Sequence, residues 1–159
     1  MGAVVVIGLA FGALFAANTR AMGLLKSAKQ AAVASKCLQQ RIEQIRNYNW
    51  TQVTDSQAMQ DLYSVPPLPS SELPGFSEQV TISEFVPAAT SGNGASAPAG
   101  QFLQIARANN GTVTAVSDSP ELVNKPQVRV DVQISWPGPG NRTRMRETSV
   151  LVANGGIGR

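Results

Sequence analysis

Residues 1–47 read MGAVVVIGLAFGALFAANTRAMGLLKSAKQAAVASKCLQQRIEQIRN, and the rest of the chain is organised around them. From Met1 to Ala17 no side chain is charged or strongly polar, and no proline interrupts the stretch before Asn47. A run this apolar is not left in water, and the helical periodicity that follows it is not that of a linker. One long helix is predicted. Its first part, residues 1–25, belongs in a membrane or a helix bundle, and its second, residues 26–47, against a globular domain. The uncharged run of 17 residues reaches roughly 25 Å at ~1.5 Å per residue, a little short of the ~30 Å hydrocarbon core. A secretory signal needs a basic segment ahead of its apolar core, and none stands here. Ala13, Ala16 and Ala17 leave a cleavage site open, yet the helical pattern runs straight through them.

Within the apolar run Gly8 and Gly12 form a small-xxx-small pair, which Ala16 extends by one turn. In a bilayer such spacing lets helix backbones approach closely, so these three residues are candidates for membrane or helix contacts. Further along, Leu24, Ala28, Ala31, Ser35, Leu38, Ile42 and Ile45 recur at steps of four and three and draw one seam. The large residues Leu38, Ile42 and Ile45 are expected to carry the contact between helix and sheet. Lys26, Lys29, Lys36, Arg41 and Glu43 fall off this seam. A stripe of this length also suits a coiled coil, which the Ala and Ser positions weaken.

The chain of 159 residues allows one domain and an appendage, and the part beyond the helix, about 110 residues, suffices for one modest core. Arg20, Lys26, Lys29, Lys36, Arg41 and Arg46 gather behind the apolar run with Glu43 as the one acid among them. The remainder holds seven basic against nine acidic residues. That asymmetry fits a membrane-proximal basic zone. It does not fit nucleic-acid binding, which needs a clustered basic surface with interleaved aromatics. Cys37 is the sole cysteine and histidine is absent. An intrachain disulfide, a Cys/His metal constellation and histidine catalysis are therefore excluded. Cys37 reads as a small packing residue, with lipidation or an intermolecular bridge as the alternative.

Beyond the helix, Tyr48 to Thr54 breaks the pattern. Thr54 or Asp55 caps a short helix over 56–63. Pro66, Pro67, Pro69 and Pro74 enforce an extended, solvent-facing connection, so residues 48–78 form a connecting region. An antiparallel sheet is predicted over 79–153. Its strands are Val80–Val86, Phe102–Ala106, Thr112–Val116, Gln127–Trp136 and Thr143–Ala153, with a flexible loop over 87–100. Asn110-Gly111 marks a hairpin. Val128, Val130, Val132, Ile134 and Trp136 share one face of the clearest strand. The fold class is thus α+β: a long N-terminal helix, projecting at its apolar end and packed on a small antiparallel sheet at the other.

No nucleophile with a base, paired carboxylates, phosphate loop or metal spacing is found. No catalytic, cofactor-binding or metal-binding residue is nominated, and a non-enzymatic role is expected. Asp118 and Glu121 around Pro120 read as a solvated turn. The 137–140 turn reads as a hairpin connection. Arg142, Arg144 and Arg146, at alternate positions, share one strand face and form a possible interaction surface for an acidic partner; a charged, solvated edge is the other reading.

The order of parts resembles the type IV pilin and pseudopilin family, in particular PilV-like minor pilins. The residues that carry the resemblance are the apolar helix with Gly8 and Gly12, its Ala-rich continuation, the segment Leu38–Arg46, and the Val-rich strand with Trp136, its turn and the final strand. The resemblance implies a single-pass protein of the bacterial inner membrane with its globular part periplasmic. It implies assembly with other pilin or pseudopilin subunits through the helix, into a pilus or a secretion filament. The family's basic leader, Gly-Phe processing site and following glutamate are not in this sequence, so processing and N-methylation fall on no residue of it. In register with the family, the chain starts roughly nine residues inside the mature helix, whose full apolar run would span the ~30 Å hydrocarbon core. The alternative function is a membrane-anchored periplasmic binding module using the 87–100 loop and the 137 turn.

Overall fold

The computed structural model describes residues 2–67, 71–85, 102–138, 140 and 142–155; in the first helix, side chains are described at Gly8 and from Phe11 onward. The predicted 87–100 loop, together with Pro69, Val86, Pro139 and Asn141, lies outside the described residues.

Helix α1 runs over Gly2–Arg46. The predicted break after it contains one helical turn, α2, Trp50–Val53. Asn49 Oδ1 accepts from Gln52 N at 2.9 Å and Gln52 Oε1 accepts from Asn49 N at 3.0 Å, a reciprocal cap that opens α2. Asn49 therefore starts a helix rather than merely ending one. Helix α3, Ser56–Ser64, is capped by Asp55, whose Oδ2 accepts from Ala58 N at 2.7 Å. The proline-rich connection is not wholly solvent-facing, because Pro67, Leu73 and Phe76 are buried within it.

Five strands follow: β1 Ser77–Glu84, β2 Phe102–Arg107, β3 Val113–Ser117, β4 Gln127–Pro137 and β5 Thr143–Ala153. They form one antiparallel sheet in the order β3-β2-β1-β4-β5. The first strand begins two residues inside the segment 48–78 that the sequence assigns to the connection. Between β2 and β3 the turn at Asn110-Gly111 closes with Ala108 N donating to Thr112 O at 2.8 Å, and Gly111 takes φ +88, a left-handed conformation. Between β3 and β4 the expected solvated turn is a 3-10 helix, Pro120–Asn124, whose Leu122 is fully buried.

Alternation decides the layers. Val128, Val130, Val132, Ile134 and Trp136 of β4 face the core with Val80, Ile82, Leu103 and Ile105 of its neighbours. Helix α1 covers β4 and β5, and α3 covers β2 and β3. The molecule is therefore α+β, a long helix laid on a five-stranded antiparallel sheet.

A buried ion pair locks α1 in place. Arg41 and Glu78 have no exposed side-chain surface, and Arg41 Nη2 meets Glu78 Oε2 at 2.8 Å. The guanidinium also donates to Val65 O at 2.7 Å, Leu62 O at 2.9 Å and Gln44 Oε1 at 2.9 Å. It stands 4.5 Å from the Tyr63 ring centroid. One side chain of α1 thus ties together α3, the chain leaving α3, and β1. Arg41 is not on a solvated helix flank, as its position off the predicted seam suggests. Burial here follows a face centred on Ala34, Cys37, Leu38, Arg41 and Ile45, rotated from that seam by roughly a fifth of a turn.

Replacing Glu78 by Ala leaves the guanidinium buried without its counter-charge, which costs about 3–5 kcal/mol. Urea unfolding of the variant should register that loss, with a smaller effect for Arg129→Ala, whose partner Asp131 lies on the exposed sheet face.

Candidate interaction surface

With Arg41 fixed, the direction of the rest of α1 is fixed too. From Phe11 to Lys26 every residue of the helix is exposed, and Ser27 is the first to be half-buried. The exposed stretch is not polar. Phe11, Leu14, Phe15, Met22, Leu24 and Leu25 are each more than 60 % exposed. Burying one such side chain stabilises by about 1.5–3 kcal/mol, so this surface is a strong drive toward association.

The helix has two distinct sides here. At about 100° per residue, Gly12, Ala16 and Gly23 fall on the same side as Ser27, Ala34 and Arg41, the side the sheet covers lower down. Phe11, Phe15, Met22 and Leu25 gather on a face turned from it by about a third of a turn. Among the described residues nothing lies within 4 Å of where a Cβ would stand on Gly8, Gly12 or Gly23. Glycine in a helix interior is destabilising by ~0.5–1 kcal/mol relative to alanine, and nothing in the fold of this chain requires it at these three positions.

Of the expected contact residues between helix and sheet, Leu38 and Ile45 enter the core and Ile42 packs at its border. Leu38 and Ile42 also floor a groove of about 310 Å³ between α1 and β5, rimmed by Glu43, Arg46, Arg146 and Glu147. Two of the three arginines, Arg144 and Arg146, share the β5 face turned to α1, with different neighbours there. Arg142 precedes β5 and is exposed, Arg144 donates through Nη1 to Ser27 Oγ of α1, and Arg146 lines the groove. Strand β5 is a sheet edge, with Met145 and Leu151 half exposed on its far face.

The buried polar cluster, which the sequence reading missed, is chemically quiet. Cys37 is fully buried and its Sγ donates to Glu78 Oε1 at 3.5 Å. Burial first, then the Glu78 charge and hydrogen bond, push the thiol from its usual 9.0 up to about 12, against the opposing pull of Arg41 and Arg107. Burial raises the Tyr63 phenol as well. Neither lipidation nor an intermolecular bridge is open to a protonated thiol with no exposed surface. Among the described residues no group of three or more His, Cys, Asp or Glu is placed to hold a metal ion.

Fold and surface together define an α+β protein with a long helix whose far half presents uncovered apolar surface. Among the described residues no helix is long and apolar enough to cross a membrane. Comparison of the chain with protein-family models, curated proteins and solved structures finds no match.

The raised thiol has a measurable sign. Between pH 9.0 and about 12 the folded chain keeps a proton that the unfolded chain releases. The stabilisation is complete below that window and is lost as pH rises through it. The urea midpoint should fall across this range, less steeply in Cys37→Ala, and maleimide should label Cys37 only after unfolding.

Proposed function

We propose that the chain is a structural subunit of the pilin and pseudopilin class, a minor pilin or pseudopilin of a type IV pilus or a type II secretion-like filament. Before assembly its apolar helix rests in the bacterial inner membrane as a single pass, with the globular part periplasmic. Afterwards the helix enters a bundle of like helices, at the cell surface or in the periplasm. The role is architectural, not catalytic. The exposed apolar half of α1 with its contact-free glycines supports this reading. Its large residues suit lipid or neighbouring subunits, and its small face admits another backbone at short range. Exchange of lipid for helix contacts keeps the apolar surface out of water throughout, so fit between helices decides the outcome.

A second reading rests on a different observation. A cleft of about 450 Å³ lies between α2, the start of α3 and the 3-10 helix, lined by Thr51, Gln52, Thr54, Asp55, Asp118 and Val123. It suits a small polar ligand and would make the chain a membrane-anchored periplasmic binding module.

Leucine at Gly8 and Gly12 meets open space in the isolated chain, so Gly8→Leu/Gly12→Leu should leave thermal unfolding of the globular part unchanged. Co-assembly into filaments, read by pull-down of sheared filaments, should fall at least tenfold; incorporation at the normal level would sink the helix-contact proposal. Deletion of residues 1–25 separates the two readings, since a binding module keeps its ligand without them and a filament subunit loses all function.

A further inference from the structure

The cations of this chain divide into two sets. Arg46, Lys125 and Arg129 are paired with Glu43, Glu84 and Asp131, and Arg41 with Glu78. Among the described residues Arg20, Lys26, Lys29, Lys36, Arg107, Arg142, Arg144 and Arg146 make no such ion pair, and four of these, Lys26, Lys29, Arg142 and Arg144, lie where α1 leaves the sheet. Helix α1 leaves the sheet at Ser27, which accepts a hydrogen bond from Arg144. Lys26 and Lys29 precede and follow that residue in the helix, both exposed, and are turned from it around the axis by roughly 100° and 160°, so that the cations ring the helix at this level. Arg142 lies two residues before Arg144 and is exposed as well.

The turn that presents the arginines is built for it. Gly138 N donates to Arg142 O at 2.8 Å. A Cβ on Gly138 would stand 2.8 Å from Arg144 Nε and 2.9 Å from the Arg142 carbonyl. Glycine there lets the turn close against both arginines. The sequence keeps Arg142 and Lys26 more than a hundred residues apart; the fold makes them one collar.

We infer that this collar binds the anionic phosphate headgroups of a lipid bilayer. It follows directly on Leu24 and Leu25, exposed apolar residues of the projecting helix. A helix buried in hydrocarbon up to Leu25 sets Lys26 and Lys29 at headgroup level, and the globule brings Arg142 and Arg144 to the same level. Arg20, six residues or roughly 9 Å deeper than Lys26, snorkels outward along the helix to the same interface. Headgroup attraction adds to the apolar contact and holds the globule upright on the membrane. The inference rests on the membrane stage of the proposed function and names the surface that stage uses.

The full chain, exchanged from detergent into vesicles, tests it. Binding is read by co-flotation with phosphatidylcholine vesicles and with vesicles of phosphatidylcholine mixed with phosphatidylglycerol. Each cation near a charged surface contributes about fivefold in partitioning, so Lys26→Gln/Lys29→Gln/Arg142→Gln should weaken binding to the charged vesicles by one to two orders of magnitude. Binding to neutral vesicles should not change, and ~0.5 M salt should erase the preference of the unaltered chain. Near-ultraviolet circular dichroism checks that the variant is folded, and Arg129→Gln serves as a control for loss of a cation away from the collar, on the exposed sheet face. Equal binding of the unaltered chain to both vesicles, or full retention by the triple variant, overturns the collar alone. Absence of binding to either vesicle overturns the collar together with the membrane stage of the proposed function.

Discussion

A guanidinium with no exposed surface is tolerable only where its charge and most of its donors are met; both Nη groups of Arg41 are met while Nε has no partner among the described residues, and on this residue the structure turns. Its partners come from four places: Gln44 on its own helix, Leu62 in α3, Val65 beyond α3, and Glu78 in β1. Apolar contact alone would let a smooth helix slide or rotate over a flat Val-rich sheet with little penalty. The charged pair permits only one rotation and one axial position, because any other leaves an ion buried without its counter-charge. Specificity of placement, rather than net stability, is what the pair contributes.

That placement reaches well beyond the globule. A straight helix carries its rotation along its length, so fixing Arg41 fixes which side of the projecting half faces the sheet's edge and which faces away. The small residues Gly12, Ala16 and Gly23 continue the covered side upward, while Phe11, Phe15 and Met22 continue the uncovered side. The same face is thus filled by strands at one end of the helix and open at the other, and the open end keeps the small residues that a close neighbour needs.

Much of the fold was legible because it follows from period and punctuation. The uninterrupted stretch to Asn47, the alternation from Val128 to Trp136, and the Asn110-Gly111 turn each show a local cause in the sequence, and α1, β4 and the β2–β3 hairpin fall where those causes put them. What escaped was non-local. Arg41 and Glu78 look like ordinary surface charges when read singly, because only the fold brings α1 to β1. The buried face of α1 accordingly lies away from the seam of Leu24, Ala28 and Ile42: a stripe chosen by hydrophobicity alone omits Arg41 and Cys37, both fully buried. One signal was available, since Glu78 sits in phase with Val80 and Ile82 on an otherwise apolar strand face. The collar of Lys26, Lys29, Arg142 and Arg144 escaped for the same reason, as its halves lie at opposite ends of the chain.

The two edges of the sheet differ in a way that bears on assembly. β3 is short and bulged, with its register shifting against Gln104 and Ile105, so it offers a poor template for another strand. β5 is long and pairs with β4 in unbroken register from Thr143 to Ala153. An edge of that length invites pairing with other chains unless charge guards it. Arg144, Arg146 and Glu147 supply the guard along its first half, and Arg144 is also held to α1. Contact through β5 is therefore discouraged just where contact through the helix is favoured. The surface directs association toward α1, which carries six exposed large apolar side chains where no other described element carries more than two.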